Sequence, residues 1–412
     1  MKKHETVKVC DILIPAEDIN GEKWACVACD QFTSQPDYWE KLASYVGDAP
    51  STFNLIFPEV YLGNDDAARI EKINDNMHGY LDEGIFRTIK DSFILVERDT
   101  PYEKGRLGLV MAVDLEDYDF TPFAPVAIRA TEGTVVERIP PRLEIRRHAP
   151  LELPHIMLLI DDRKNTVIEP VYEKRDELEL LYDTELNMGG GHLRGWRVSD
   201  TESVIKKLYN LVSEEVQLEN YGRVTDFLFA VGDGNHSLAT AKAHWNEVKK
   251  ALSAEEAVNH PARFALVEVE NLMSPALKFE PIHRAVFNAD ERFIEEMKLR
   301  SYGDGKVKVF TKDAAFEINA PSDSIDAIKE IQDFIDDYVA SHEGVYVDYI
   351  HGEKNLEEIV GSRGGVGILM PSPEKSDLFD FIIRRGIMPR KSFSMGEAEE
   401  KRYYFEAKKI IG

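Results

Sequence analysis

Cysteine is scarce: three residues in a chain of 412. That excludes a disulfide scaffold and fits a reducing compartment. Cys26-Val27-Ala28-Cys29 lacks the second cysteine pair of a structural zinc site and the following helix of a thioredoxin-type motif, so its thiols read as buried. No apolar run approaches ~18 residues, which excludes a helical membrane span. Met1-Lys2-Lys3-His4-Glu5 leads into no apolar signal core, and the expected location is cytoplasmic. Basic residues are outnumbered 50 to 75, for a formal charge of -25. Such a surface repels a phosphate backbone, so general nucleic-acid binding is not expected. The densest basic patch, Arg142, Arg146 and Arg147, is short and reads as solvated charge. Also absent are His-Glu-x-x-His, Gly-x-Ser-x-Gly and Gly-x-Gly-x-x-Gly, and no acid and histidine cluster has metal-ligand spacing.

Core material is ample, at 43% hydrophobic with 16 tyrosines and 20 phenylalanines. The length implies two or three domains, and the fold class is mixed α/β (α+β). Residues 1–165 read as a β-rich region, with strands at Thr52–Phe57, Ser92–Glu97, Leu107–Val113 and Ile156–Ile160 and a helix at Asp66–Gly79. Prolines at 122, 125, 140, 141, 150 and 154 mark loops. Residues 166–290 read as a central α/β domain. A helix stripe of Val204, Ile205, Leu208, Leu211 and Val212 follows a cap at Asp200. A strand at 226–231, a helix over Leu238–Lys250 and a strand at Phe264–Val269 form a strand–helix–strand unit. Residues 291–412 read as an α/β region. It has a hairpin of Val307–Phe310 and Ala315–Ile318, a helix carrying Ile325, Ile328, Ile331, Ile335 and Tyr338, and strands at Val345–Ile350 and Val366–Leu369. The tail Arg402-Tyr403-Tyr404-Phe405 is apolar enough to dock.

The chemistry concentrates at Gly232-Asp233-Gly234-Asn235-His236-Ser237, the turn between an apolar strand and a helix. Helix N-termini present backbone N–H groups and a positive dipole end, so a phosphate or carboxylate is the natural occupant. Gly234 allows close approach, Asn235 and Ser237 add donors, and Asp233 and His236 are the candidate catalytic groups. The bland alternative is a helix start that merely turns and caps. Gly189-Gly190-Gly191-His192-Leu193-Arg194 is a second candidate: a mobile glycine loop around an anion, or a plain connector. His155 and His283 read as packed histidines, and Arg129 with Glu132 as an ion pair.

At these residues the chain resembles the domain-of-unknown-function family 1015. Asp233, Gly234, His236, Thr240 and Ala241 match its Asp-Gly-His-His-Arg segment. Asn235 and Ser237 depart from the usual histidine and arginine. Glu83-Gly84-Ile85, Arg129 to Glu132 and Thr134 (with Thr131 for the usual histidine), His192 to Trp196, Pro281-Ile282-His283-Arg284, and Met388-Pro389-Arg390-Lys391-Ser392 follow in the family's order. The turn also resembles that of the ParB and sulfiredoxin superfamily, which includes nucleotide binders and a serine-phosphorylating kinase. The resemblance implies that Gly234, Asn235, His236 and Ser237 cradle a phosphate beside Asp233. His192, Arg194, Arg129, Glu132, His283, Arg284 and Lys391 would complete a ligand site. Arg129, Arg142, His283, Arg284, Arg390 and Lys391 are candidates to replace the missing arginine.

The first expectation is therefore an enzyme transferring phosphate to a small metabolite, with a nucleotide and Mg2+ as cofactors. The second is a non-catalytic module that binds a nucleotide or acidic metabolite. A ParB-like DNA-binding or nuclease role comes last, for want of a basic face or helix-turn-helix. Gel shifts with random duplex DNA at physiological salt should accordingly show only weak binding; tight, steeply salt-dependent binding would revive that last role.

Overall fold

The computed structural model describes residues 5–63, 65–300 and 302–411; residues 1–4, read above for a leader, lie outside them. The fold is mixed α/β and divides into two compact units. Unit 1 holds the residues up to Ala130, Thr134–Leu277 and the segment from Ala398 on; unit 2 holds Thr131–Gly133 and Lys278–Glu397. The change of character near residue 166 falls inside unit 1, because strands on both sides of it share a sheet.

That sheet contains β1 (Val7–Lys8), β2 (Cys10–Pro15), β3 (Phe86–Asp99), β4 (Arg106–Asp114), β5 (Tyr118–Asp119) and β6 (Ile128–Ala130). It continues with β7 (Met157–Ile160), β8 (Glu179–Leu186), β9 (Gly191–Val198), β10 (Phe229–Asp233) and β11 (Phe264–Asn271). Their order is β8-β9-β3-β4-β11-β7-β10-β6-β5, with β1 paired to β4 and β2 to β3. The central strands are apolar throughout because both faces are covered. Phe93, Leu95, Leu109 and Met111 enter one core; the alternating residues Ile94, Val96 and Val110 enter another. Helices Thr201–Asn210 and Asn235–Val248 fill the first core with Leu208, Leu238 and Trp245. Helices Pro36–Val46 and Asp66–Asp82 fill the second with Trp39, Leu42 and Met77. The expected cap is present: Asp200 accepts the Ser203 N–H at 3.2 Å.

One expected strand is absent. Thr52–Phe57 is not a strand but a 3-10 turn over Thr52–Leu55. The hydroxyls of Ser51 and Thr52 donate to the Trp24 carbonyl at 3.1 and 2.8 Å, and Ser51 also accepts the Phe53 N–H. These local bonds compete with a sheet ladder. The strand–helix–strand unit is present as β10, helix Asn235–Val248 and β11, but its two strands are not adjacent. β10 is antiparallel to β7, which lies between it and β11 and runs parallel to β11. Hydrophobic periodicity carries no information on strand direction.

The docked tail is held by buried charge. Tyr403–Tyr404 pairs with Cys26–Val27. Arg98 donates to the carbonyls of Glu399 (2.7 Å), Lys401 (2.6 Å) and Gly190 (2.9 Å), and Arg106 to that of Glu400 (2.8 Å). Arg402 meets Glu268 at 3.0 Å and Glu406 at 2.7 Å, and Arg106 meets Glu270 at 3.2 Å.

Unit 2 is an antiparallel sheet of β12 (Glu280–Phe287), β13 (Gly305–Phe310), β14 (Ala315–Ala320), β15 (Tyr346–His351), β16 (Val366–Ile368) and β17 (Phe393–Ser394). The order is β14-β13-β16-β12-β15, with β17 on β12. The expected hairpin is β13–β14, and helix Ser324–Ser341 buries Ile328, Ile331, Ile335 and Tyr338 on this unit's core. Among the described residues, no helix is long and apolar enough to cross a membrane.

The glycine run is a packed hairpin turn between β8 and β9, not an open anion loop. Gly191 sits at φ +90, and a Cβ there would lie 2.0 Å from the Asp99 carbonyl oxygen; Gly189, at φ +79, faces open space. Gly189→Ala should therefore cost about 1 kcal/mol in urea denaturation and Gly191→Ala clearly more, about 3 kcal/mol, because a backbone atom must move. Equal costs would show that the turn is not packed as described.

Candidate functional site

β10 ends at Asp233, and helix Asn235–Val248 starts after Gly234, whose φ of +78 is left-handed. A Cβ at Gly234 would also lie 2.9 Å from Ile156 Cα, so glycine is needed here for both conformation and space. Asp233 Oδ1 accepts the Gly234 N–H at 2.8 Å, and Oδ2 meets Lys401 Nζ at 3.1 Å. Burial raises the Asp233 carboxyl, but Lys401, His155 and the Gly234 N–H outweigh it and hold it below the usual aspartate value. Asn235 and Ser237 lie in the first helical turn, where N–H groups have no acceptor within the helix. Asn235 Oδ1 is buried and has no donor among the described residues. His236 faces another way: its Nε2 accepts the Val135 N–H at 3.3 Å.

Ser237 opens on a cavity of about 150 Å³, lined also by His155, Tyr404, Cys29, Glu59 and Arg142. His155 is buried, with Nε2 3.1 Å from Ser237 Oγ and 3.6 Å from Asp30 Oδ2, and Nδ1 2.7 Å from the Tyr404 hydroxyl. Arg142, on helix Ile139–Arg147, pairs with Glu59. Burial, with Asp30 nearby, raises the Glu59 carboxyl despite that partner. The basic patch read as solvated thus supplies a cavity cation, because this helix packs against Asn235–Val248. Cys26 is buried as expected, and burial pushes its thiol up to about 12. Cys29 instead lines the cavity, its thiol also raised by burial.

Other candidates of unit 1 stand apart from this turn. His192 and Arg194 are on β9, five strand positions from β10, or roughly 24 Å at ~4.8 Å per strand. His192 is held by Glu185 (2.9 Å) and Asp183, and these carboxylates raise its pKa beyond what burial lowers it. Arg194 pairs with Glu97 at 2.9 Å. Arg129 neighbours Ala230 on β6, but its guanidinium lies 4.8 Å over the Phe227 ring and donates to the Val126 carbonyl. That places it at the start of β10 rather than at the turn.

Unit 2 gathers Glu132, Arg284 and Lys391. Glu132 accepts the N–H groups of Lys391 and Ser392, both at 3.2 Å, and burial raises its carboxyl. Arg284 is fully buried and donates to Gln332 Oε1 (2.7 Å) and to the carbonyls of Ile282 (2.5 Å) and Lys391 (3.0 Å). Burial lowers it to about 10. Three motifs of the sequence thus meet in one loop clamp. Glu132 serves there as a backbone acceptor rather than as the ion-pair partner of Arg129. The Lys391 side chain is exposed.

The sequence matches the model of a protein family of unknown function, DUF1015, over residues 12–378. The chain belongs to this family. No curated protein matches it. Solved structures with a similar course include a free serine kinase variant in complex with ADP (TM-score 0.41, 9% identity, 76% of this chain and 95% of that one). Others are a conserved hypothetical protein from Pyrococcus furiosus (0.35, 9%, 72% and 90%) and C-terminally truncated SbnI from Staphylococcus aureus (0.35, 9%, 70% and 82%).

Nothing local in the sequence marks Asp30, Glu59 or Lys401 for the site; Tyr404 reads only as part of a docking tail and His155 only as a packed histidine. His283 is packed as expected: its Nδ1 accepts the Met370 N–H at 3.1 Å, and burial lowers its pKa to about 4. An unfolded histidine titrates near ~6.5, so between pH 6.5 and 4 the unfolded chain binds more protons. The contribution of His283 is complete above pH 6.5 and is lost as pH falls toward 4. His283→Asn should flatten the rise of the thermal midpoint across that window; an unchanged slope would refute the assignment.

Proposed function

We propose that unit 1 binds a small phosphorylated or acidic ligand at the head of helix Asn235–Val248 and transfers its phosphoryl group to a small metabolite. A turn of the ParB and sulfiredoxin type is part of this reading, and a nucleotide is the proposed donor. One observation carries it: Lys401 neutralises Asp233 at the point where the helix presents its amides. Without that cation, Asp233 would oppose an anion that the helix end attracts by up to ~2 kcal/mol. With it, the turn is electrically open to phosphate. Lys401 thus takes the part of the arginine that Ser237 cannot supply.

The neighbouring cavity suits a small polar group better than a whole nucleotide, whose base and sugar would extend outward. Both oxygens of Asp233 are engaged by protein donors, so this carboxylate does not form a Mg2+ site by itself. Magnesium would arrive on the phosphates of a nucleotide. The same engagement favours the second reading, a non-catalytic module, because an ion-paired Asp233 is a poor proton acceptor.

Gly234→Val is a folding variant in view of the Ile156 contact. The informative pair is Lys401→Met and Asp233→Asn, compared by calorimetric titration with ADP and with inorganic phosphate. Lys401→Met should weaken binding about tenfold or more, a loss near 1.4 kcal/mol. Asp233→Asn should keep or tighten it, since the ammonium is released toward the ligand. If neither variant changes the affinity, the anion does not sit at this turn.

A further inference from the structure

Ser237, His155 and Tyr404 form a chain of contacts that anion binding alone does not require. Ser237 Oγ is 3.1 Å from His155 Nε2, and Tyr404 Oη is 2.7 Å from Nδ1. The hydroxyl of Tyr404 accepts the Cys29 N–H at 3.2 Å and lies 3.2 Å from Cys29 Sγ. Burial keeps both this phenol and this thiol protonated. In the tautomer with its proton on Nδ1, His155 donates to the phenol oxygen and presents the Nε2 lone pair to Ser237. Asp30 Oδ2 lies 3.6 Å from the same nitrogen, where a carboxylate can face an imidazolium. A nucleophile, a base within hydrogen-bond reach and a third group that orients the base are the parts of an activated serine.

We propose that Ser237 is a nucleophile toward phosphorus, with His155 as its base. Resting on the phosphoryl-transfer reading above, the step runs through phosphoserine at position 237. Ser237 Oγ bonds to the phosphorus of a phosphate ester or anhydride as its proton passes to His155 Nε2. The P–O bond to the leaving oxygen breaks, its electron pair departs with that oxygen, and His155 returns the proton to it. In the second half, the hydroxyl of the acceptor metabolite loses its proton to His155 and bonds to phosphorus. The Oγ–P bond then breaks, its electron pair stays on Oγ, and His155 returns the proton to Oγ. Asp30 stabilises the imidazolium in both halves. Tyr404 is a positioning residue.

A fluorophosphonate tests the nucleophile without knowledge of the natural ligand. The full-length protein is treated with it, and adducts are located by intact-mass and peptide mass spectrometry. The expected result is one adduct on Ser237, absent from Ser237→Ala and formed at least tenfold more slowly in His155→Gln. The wild-type labelling rate should follow a single deprotonation, and Tyr404→Phe should shift the pH of that transition. Circular dichroism checks the folding of each variant. No adduct on the folded wild type, or equal labelling of Ser237→Ala, overturns the proposal. Phosphate binding without labelling removes the nucleophile and leaves the anion site. Labelling without phosphate binding keeps the nucleophile and removes the phosphate reading.

Discussion

The buried set of Arg98, Arg106 and Arg402 with Glu268, Glu270 and Glu406 is the constraint on which the site of unit 1 depends. Such groups lose hydration on burial and gain little net stability when paired. Their effect here is positional. Arg98 and Arg106 bind consecutive carbonyls of residues 399 to 401, so the backbone that carries Lys401 and Tyr404 has one register on the sheet. Burial and the neighbouring arginines lower Arg98 to about 9, and burial and Glu268 raise Glu270 to about 7. Slipping the tail by one residue would take Lys401 from Asp233 and Tyr404 from His155 together.

The head of helix Asn235–Val248 shows how few atoms set a local charge. Asp233 is negative, Lys401 positive and the helix end partly positive, which leaves a modest excess suited to an anion. Gly234 makes this possible by turning the chain with no Cβ against Ile156. Ser237 faces a cavity with His155 behind it. The cations beside the turn and the cavity are Lys401 and Arg142.

In unit 2 the motif residues that look like ligands hold backbone instead. Glu132 accepts two adjacent amides, and Arg284, with no carboxylate bonded to it among the described residues, spends its donors on carbonyls and Gln332. Isolated residue types cannot separate these roles, because a guanidinium binds a carbonyl cluster and a phosphate by the same geometry.

Much of the architecture was legible. The strands around Phe93–Val96 and Leu109–Val113 and the helix stripe from Ile325 to Tyr338 follow from apolar spacing, since burial acts on each side chain where it stands. Thr52–Leu55 was misread because side-chain bonds to Trp24 overrule an apolar pattern. The turn at 232–237 was visible because glycine, acid and helix start are neighbours in the chain. Its partners were not: Asp30, Glu59, His155 and Lys401 lie far from it in sequence. By itself, the sequence determined the mixed α/β class, the strand-to-helix turn and the acidic surface, all consequences of local spacing and composition. Only the tertiary structure decided the antiparallel setting of β10, the pairing of Lys401 with Asp233 and the contact of His155 with Ser237. Those depend on strand order and on a captured tail, and long-range register leaves no periodic trace in a single chain.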